Sequence, residues 1–257
     1  FSGIRHAYAT RLGGVSEGEW SSMNLSFTRG DREKGVRENF HRIAEHFSVP
    51  ESRFVLSHQT HKDRVRTVTE EDAGKGLTRE RDYTDVDALI TDVPRLLLTV
   101  FWADCVPLLL YDPRKRAIGA VHSGWRGTFS RIASKTVEAM RREYGTEPSD
   151  LFISIGPSIC GSCYEVPEQM RTASAERIPQ VAAQTRTGTP ALDLPAGAIA
   201  ILEDMGVEVS TELAACTYET GELYSHRAFT HGSRPAGRIA GLVWLSAASE
   251  EKEETTN

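Results

Sequence analysis

Between positions 96 and 121 the chain carries three apolar runs in close succession, 96–103, 106–111 and 117–121, parted only by Asp104-Cys105 and the polar segment 112–116. Each run is shorter than a usual helix and far below the roughly 20 residues of a membrane span. Their apolar character is nearly continuous rather than alternating, which predicts strands covered on both faces. A chain with such a centre has to build layers on either side of a sheet. Pro107 lacks an N–H for the ladder, so the turn after Cys105 is expected to be bulged or to lie at a sheet edge.

The flanking segments supply those layers. Over 31–47, Val36, Phe40, Ile43, Ala44 and Phe47 recur at helical spacing. Over 128–144, Phe129, Ile132, Ala133, Val137 and Met140 do the same, and Gly145 stands where a helix ends. Pro167 is placed to start a helix, and 195–205 reads as another that stops at Gly206. Further strands are expected at 54–57, 151–155, 207–211 and 238–245, and the charged stretch 70–86 reads as an exposed loop. With no repeat and no linker, the pattern predicts one layered α/β domain over 1–249, a mixed sheet flanked by helices. Residues 250–257 (EEKEETTN) are expected to be a frayed acidic tail.

Composition narrows the function. The 257 residues carry a formal charge of −6 and a pI near 5.8, which argues against gripping nucleic acid through a basic surface. The longest apolar run has only eight residues, so no membrane partner is expected, and no secretion signal is read in the sequence given. Four cysteines do not make a disulfide framework. A cytoplasmic location is the expectation.

The residues that carry chemistry sit at the strand exits. Cys105 follows one apolar run and His122 follows another, and in open α/β sheets such positions face the ligand crevice. One thiolate with two imidazoles makes a catalytic zinc set, because three protein ligands leave a tetrahedral corner open. His61, in Gln59-Thr60-His61, is a candidate for the third ligand; His58 competes with it, and spacing does not separate them. Without a metal, Cys105 and His122 are a nucleophile and base for a cysteine hydrolase. Cys160-Gly161-Ser162-Cys163 lacks a second CxxC and reads as a non-ligand loop, and Cys216 is expected to be buried.

Several stretches occur in a telling order: Arg11-Leu12-Gly13-Gly14-Val15-Ser16, Gln59-Thr60-His61, Asp87-Ala88-Leu89, Ala103-Asp104-Cys105-Val106-Pro107 and His122-Ser123-Gly124-Trp125-Arg126-Gly127. Gly156-Pro157-Ser158-Ile159, Tyr164-Glu165-Val166, Cys216-Thr217, Ser225-His226-Arg227 and Gly237-Arg238 follow. From about Phe1 to Leu245 the chain resembles the YfiH/YlmD family, also described as the polyphenol oxidoreductase or laccase-domain family. The resemblance implies a zinc held by His61, Cys105 and His122, with copper as the weaker alternative. It further implies phosphorolysis of adenosine, inosine, guanosine and methylthioadenosine and deamination of adenosine, with purine nucleosides and phosphate as partners. A role in editing cell-wall precursors is the alternative it carries; a multicopper oxidase is disfavoured by only eight histidines and no HxH pair. Two departures stand out: Lys62 replaces the usual glycine after the first histidine, and Ser225-His226-Arg227-Ala228 keeps one arginine where the family has two.

These residues suggest roles. Zinc lowers the pKa of a bound water to roughly 7, which would serve attack on C6 of adenine. Asp104, His58 and Glu165 are candidates to shuttle the protons, Asp104 alternatively orienting an imidazole. Arg126, Arg11 and Arg227 are candidates for phosphate and Asn24 for a sugar hydroxyl, with a surface or capping role as the alternative for each. Trp125 is placed to stack on a base or to pack under its turn. Gly124 and Gly127 are read as requirements of a tight turn.

Overall fold

The computed structural model describes residues 3–247; the acidic tail expected at 250–257 lies outside them. The first half contributes β1 (Ile4–Tyr8), α1 (Glu33–Phe47), β2 (Phe54–Leu56), β3 (Val65–Thr67), β4 (Ala88–Thr91), β5 (Leu97–Trp102), β6 (Val106–Asp112) and β7 (Ala117–Ser123). There follow α2 (Trp125–Phe129), α3 (Ile132–Tyr144), β8 (Phe152–Ile155), α4 (Glu168–Ala175), β9 (Ala182–Gln184) and β10 (Pro190–Leu192). The described chain finishes with α5 (Leu194–Glu203), β11 (Glu208–Ser210), α6 (His226–Thr230) and β12 (Ile239–Leu245).

The strands form a four-stranded sheet in the order β1-β12-β5-β2, a six-stranded sheet in the order β11-β8-β6-β7-β4-β3, and a β9–β10 hairpin. Both larger sheets mix parallel and antiparallel pairs. This is the mixed α/β class that the pattern of runs implies.

The side-chain alternation of each strand explains why neither sheet has a polar face. Leu98, Val100, Val243 and Val55 of the smaller sheet meet Leu89, Leu109, Ile118 and Ala120 of the larger one in a shared core. The opposite residues of the larger sheet, among them Ala88, Leu108, Leu110 and Val121, pack on Ile132, Val137 and Met140 of α3 and on Ile201 and Leu202 of α5. On the far side, Val36, Phe40, Ala44 and Phe47 of α1 cover Leu97, Ala240, Leu242 and Trp244. The order of layers is therefore helix, sheet, sheet, helices. Strands buried on both faces are what the continuous apolar runs require.

Four local expectations need correction. The three apolar runs do not share a sheet: β5 lies in the smaller one, β6 and β7 in the larger, and Ala103-Asp104-Cys105 crosses between them. Asp104 makes that crossing with a left-handed backbone, φ 85°. Pro107 is not at an edge, because β6 is interior; it sits at the strand's start, paired with His122, one residue before the β8 ladder begins at Leu108. The 128–144 helix is two helices, broken where Arg131 takes φ 59°. Finally, the 70–86 stretch is only partly exposed: Leu77, Tyr83 and Val86 are buried, as is a Lys75–Asp72 ion pair at 2.8 Å.

Candidate metal centre

Strand register assembles the centre. In the β6–β7 pair Val106 faces Ser123, so the next step outward sets Cys105 against Gly124. In the β4–β7 pair Ala88 faces Val121, so the residue before it, Asp87, comes beside His122. The His122 amide donates to the Asp87 carbonyl at 2.8 Å. Cys105, Asp87 and His122, scattered over 36 positions, are thus delivered to one end of the larger sheet.

His61 arrives on the turn before β3, with φ 61°. Asp87 organises that turn: its carboxylate accepts the backbone N–H groups of Thr60, His61 and Lys62 at 3.0–3.1 Å. The same carboxylate accepts Nδ1–H of His122 at 2.8 Å. Burial would raise the Asp87 carboxyl, but the His122 bond and charge and the turn amides outweigh it and hold it below the usual carboxylate range. One fully buried aspartate therefore fixes the His122 imidazole and the backbone turn that carries His61. It leaves His122 Nε2 free to face Cys105, the carboxylate–histidine arrangement that orients metal ligands.

The ligand atoms of His61, Cys105 and His122 all lie within 4.8 Å of one another. The two imidazoles meet edge to face, centroids 4.9 Å apart. Burial works against a thiolate at Cys105, yet the His122 charge and the contacts with both rings bring it down to about 6. Burial likewise works against a charged His122, while the Cys105 and Asp87 charges push it up to about 9. Gly124 is what admits the group. A Cβ there would lie 2.9 Å from His61 Cδ2 and 3.1 Å from Cys105 Sγ. With φ −76°, its requirement is space for these side chains rather than the turn conformation expected from sequence.

The three donors line a cavity of about 590 Å³, within the range of small-molecule sites. His58 lines it too, but its Nδ1 accepts the Asp85 N–H at 3.2 Å and it stands outside the cluster. Arg126 and Arg227 reach the cavity, stacked on Trp125 (4.6 Å) and Tyr164 (5.1 Å). Arg126 lies inside α2 rather than ahead of a helix.

Other candidates are spent elsewhere. Arg11 binds the carbonyls of Gly221 and Ser21, both at 2.7 Å, and does not line the cavity. Asn24 is fully buried; its amide donates to Asp31 and Ser26, and its oxygen accepts the Ser26 and Arg238 N–H groups. Asp104 lines the cavity but orients no imidazole, because Thr217 Oγ1 and the Arg227 N–H, each at 2.6 Å, occupy its oxygens. Glu165 is exposed and away from the cavity. Lys62 pairs with Asp85 at 2.6 Å.

Sequence reasoning missed Asp87 as a site residue, although Asp87-Ala88-Leu89 carried part of the resemblance. It also missed Arg29 and Arg238, which line the cavity with no carboxylate partner among the described residues. Burial first, and then the neighbouring Arg29 charge, lower Arg238 to about 10. The Cys105 and Asp104 charges act on Arg238 in the opposite sense without pairing with it among the described residues, and two adjacent cations so placed favour an anion between them.

Residues 5–246 match the family described as multi-copper polyphenol oxidoreductase laccase. The chain belongs to that family, which includes the YfiH and YlmD proteins. A Streptomyces coelicolor protein named purine nucleoside phosphorylase is 38% identical over 244 residues, 95% of this chain and 96% of its own. The Bacillus subtilis purine nucleoside phosphorylase YlmD is 35% identical, covering 94% and 88%. Among solved structures, YlmD from Geobacillus stearothermophilus superposes with a TM-score of 0.86 at 31% identity, covering 96% of this chain and 93% of that one. Bacillus licheniformis YfiH gives 0.85 at 29% identity, covering 95% and 93%.

Proposed function

We propose that this chain is a zinc-dependent purine nucleoside phosphorylase that also cleaves methylthioadenosine and deaminates adenosine in the same cavity. The observation that carries the reading is the convergence of His61, Cys105 and His122 on a cavity that also holds Arg29 and Arg238, which have no carboxylate partner among the described residues. The names of the relatives, 35–38% identical over nearly the whole chain, support its phosphorylase part.

The donor set fits zinc. A soft thiolate and two imidazoles are its usual ligands, His122 is already oriented by Asp87, and three donors facing a cavity leave a position open. Multicopper chemistry needs further histidine clusters, and the other donor cluster among the described residues contains no histidine. A single copper on two histidines and a cysteine usually adds an axial methionine, and none lines the cavity. Bound zinc supplies Lewis acidity at the cavity floor.

The chain's own residues supply the rest. Arg29 and Arg238 hold the phosphate, and Arg227 adds charge from the neighbouring wall. Trp125 and Tyr164 give the purine flat apolar surface, worth roughly 1–3 kcal/mol for a stacked base. Phosphorolysis forms a bond from a phosphate oxygen to C1′ as the bond from C1′ to the purine breaks, and the departing purine takes up a proton. His58 is the residue we assign to hold that proton. Its Nδ1 accepts the Asp85 N–H, so the neutral ring keeps Nε2–H to donate.

Metal-loaded protein given inosine and phosphate is expected to release hypoxanthine and ribose 1-phosphate, and adenosine to give adenine and inosine. Cys105→Ala is expected to lower both rates at least 100-fold. No turnover by the wild type, or undiminished turnover by the variant, would overturn the reading. One observation favours a second reading: Cys105, His122 and Asp87 also stand in the order of a nucleophile, base and orienting carboxylate. Activity that survives exhaustive chelation would select it.

A further inference from the structure

A second cluster lies outside the cavity, on loops whose flanking residues Ile159 and Tyr164 line it. Cys160 and Cys163 sit on the loop after β8, and Cys216 and Glu219 on the loop between β11 and α6. One ligand atom from each falls within 4.8 Å of all the others. We propose that these four residues bind a second zinc ion, a structural one, independent of the centre at Cys105.

The two loops present the same device twice: two donors separated by two residues, Cys160-Gly161-Ser162-Cys163 and Cys216-Thr217-Tyr218-Glu219. The Cys163 amide donates to the Cys160 carbonyl at 3.0 Å, and the Thr220 amide to the Cys216 carbonyl at 2.9 Å, so each loop curls to point both donors the same way. Ser158 and Cys216 form an isolated bridge that fixes one loop against the other. Two knuckles facing each other are how structural zinc collects four ligands, and the lack of a second CxxC is met by carboxylate in the fourth place.

The spacing agrees with tetrahedral zinc. Bonds of about 2.3 Å to sulfur and 2.0–2.2 Å to oxygen set neighbouring ligand atoms about 3.5–3.8 Å apart. Cys163 Sγ is 3.4 Å from Glu219 Oε1. The supporting shell is present as well. Arg186 pairs with the Glu219 carboxylate. Arg234 donates to the carbonyls of Thr217, Glu219 and Thr220 at 2.7–3.1 Å, holding the second loop from behind and adding positive charge beside the thiolates. The three cysteines are half-buried and Glu219 is exposed, so an ion has a way in. A Cys160–Cys163 disulfide would use two of the four groups and leave the convergence of the other two without a cause.

Such an ion would brace the main cavity. Ile159 and Tyr164, either side of the first knuckle, line it, and Thr217 of the second holds Asp104 beside Cys105.

The test is zinc content by elemental analysis after gel filtration, with thiols counted in denaturant. The Cys105→Ala/His122→Ala variant is expected to keep one zinc per chain, and adding Cys163→Ser/Cys216→Ser to remove it. Cobalt in the first variant should show strong thiolate-to-metal charge-transfer absorption, weakened by Glu219→Gln much less than by Cys163→Ser. In the wild type, Cys160→Ser/Cys163→Ser should lower the zinc count by one whether or not the first pair of variants folds. A folded Cys105→Ala/His122→Ala protein without zinc, a zinc count unchanged by the cysteine changes, or two thiols missing to a disulfide would each overturn the proposal.

Discussion

At the scale of single residues, the candidate centre depends on two groups that never touch a substrate. Gly124 leaves room for the His61 ring and the Cys105 sulfur, and a methyl there collides with the ring and crowds the sulfur. Gly124→Ala is therefore expected to retain a native far-UV circular dichroism spectrum while losing metal through the first centre, read as one zinc fewer per chain. Asp87 holds the His61 turn and the His122 ring, so Asp87→Asn should weaken zinc at that centre by about 10–100-fold in a competition titration. Cys105 gives a pH signature. Its thiol titrates near 6 because two imidazoles favour the anion. The thiolate is thus present above pH 6 and lost as pH falls through that value, where an ordinary cysteine would titrate near 8.5. Iodoacetamide labelling of Cys105 in metal-free protein should accordingly rise from pH 5 and level off above about 7, and bound zinc should suppress it. A midpoint above 8 would contradict the paired arrangement. Cys105 and His122 stood out at strand exits, while His61 was set apart from His58 only by the motifs that carry the family resemblance. Asp87's role was not legible in the sequence, since its partnership with His122 exists only through the β4–β7 register. Arg11 and Asn24 were misjudged because an arginine or asparagine that ties loops together looks, in one dimension, like one that binds an anion or a sugar.

At the scale of elements, periodicity revealed strands and helices but not where polar interactions interrupt them. The apolar spacing of Phe129, Ile132 and Ala133 runs unbroken through Ser130 and Arg131, so nothing in it betrays the break between α2 and α3. Charge density misled over 70–86. There Lys75, only 8% exposed, bonds Asp72 at 2.8 Å and Asp82 at 2.9 Å, and Asp72 also takes Arg66 at 2.7 Å. Removing one partner of a buried pair is costly because the other is left without compensation. Arg66 still serves Asp72, so Lys75→Met should cost about 2–3 kcal/mol in urea unfolding at pH 7, below the usual range for a severed buried pair. Burial pushes Asp72 up, but the bonds from Lys75, Thr69 and Arg66 leave it depressed. A depressed carboxyl stabilises the fold above its unfolded pKa of about 3.9 and loses that contribution as pH falls through its folded value. The variant's deficit should therefore shrink as pH drops below 4. A deficit that stayed constant down to pH 2 would show that packing, not charge, dominates at Lys75.

At the scale of the whole molecule, two electrostatic descriptions make opposite predictions. The formal charge of −6 describes a body that repels phosphate, so added salt, by screening that repulsion, would speed its capture. The cavity presents the reverse: Arg29 and Arg238 face it without carboxylate partners among the described residues, and Arg126 and Arg227 add to them. Range decides between the two. At about 0.1 M salt, charges more than roughly 10 Å away are largely screened, so a phosphate at the cavity mouth responds to the nearby arginines and little to acidic groups elsewhere. Asp104 lines the cavity as well, but Thr217 and the Arg227 N–H occupy its oxygens and the arginines outnumber it, so the field at the mouth is positive. The kcat/KM for phosphate at saturating inosine is thus expected to fall several-fold between 50 and 300 mM potassium chloride, and Arg238→Met should flatten that dependence as well as raise the KM for phosphate. A rate that climbed with salt would mean that net charge governs the encounter and that these arginines are not where the anion enters.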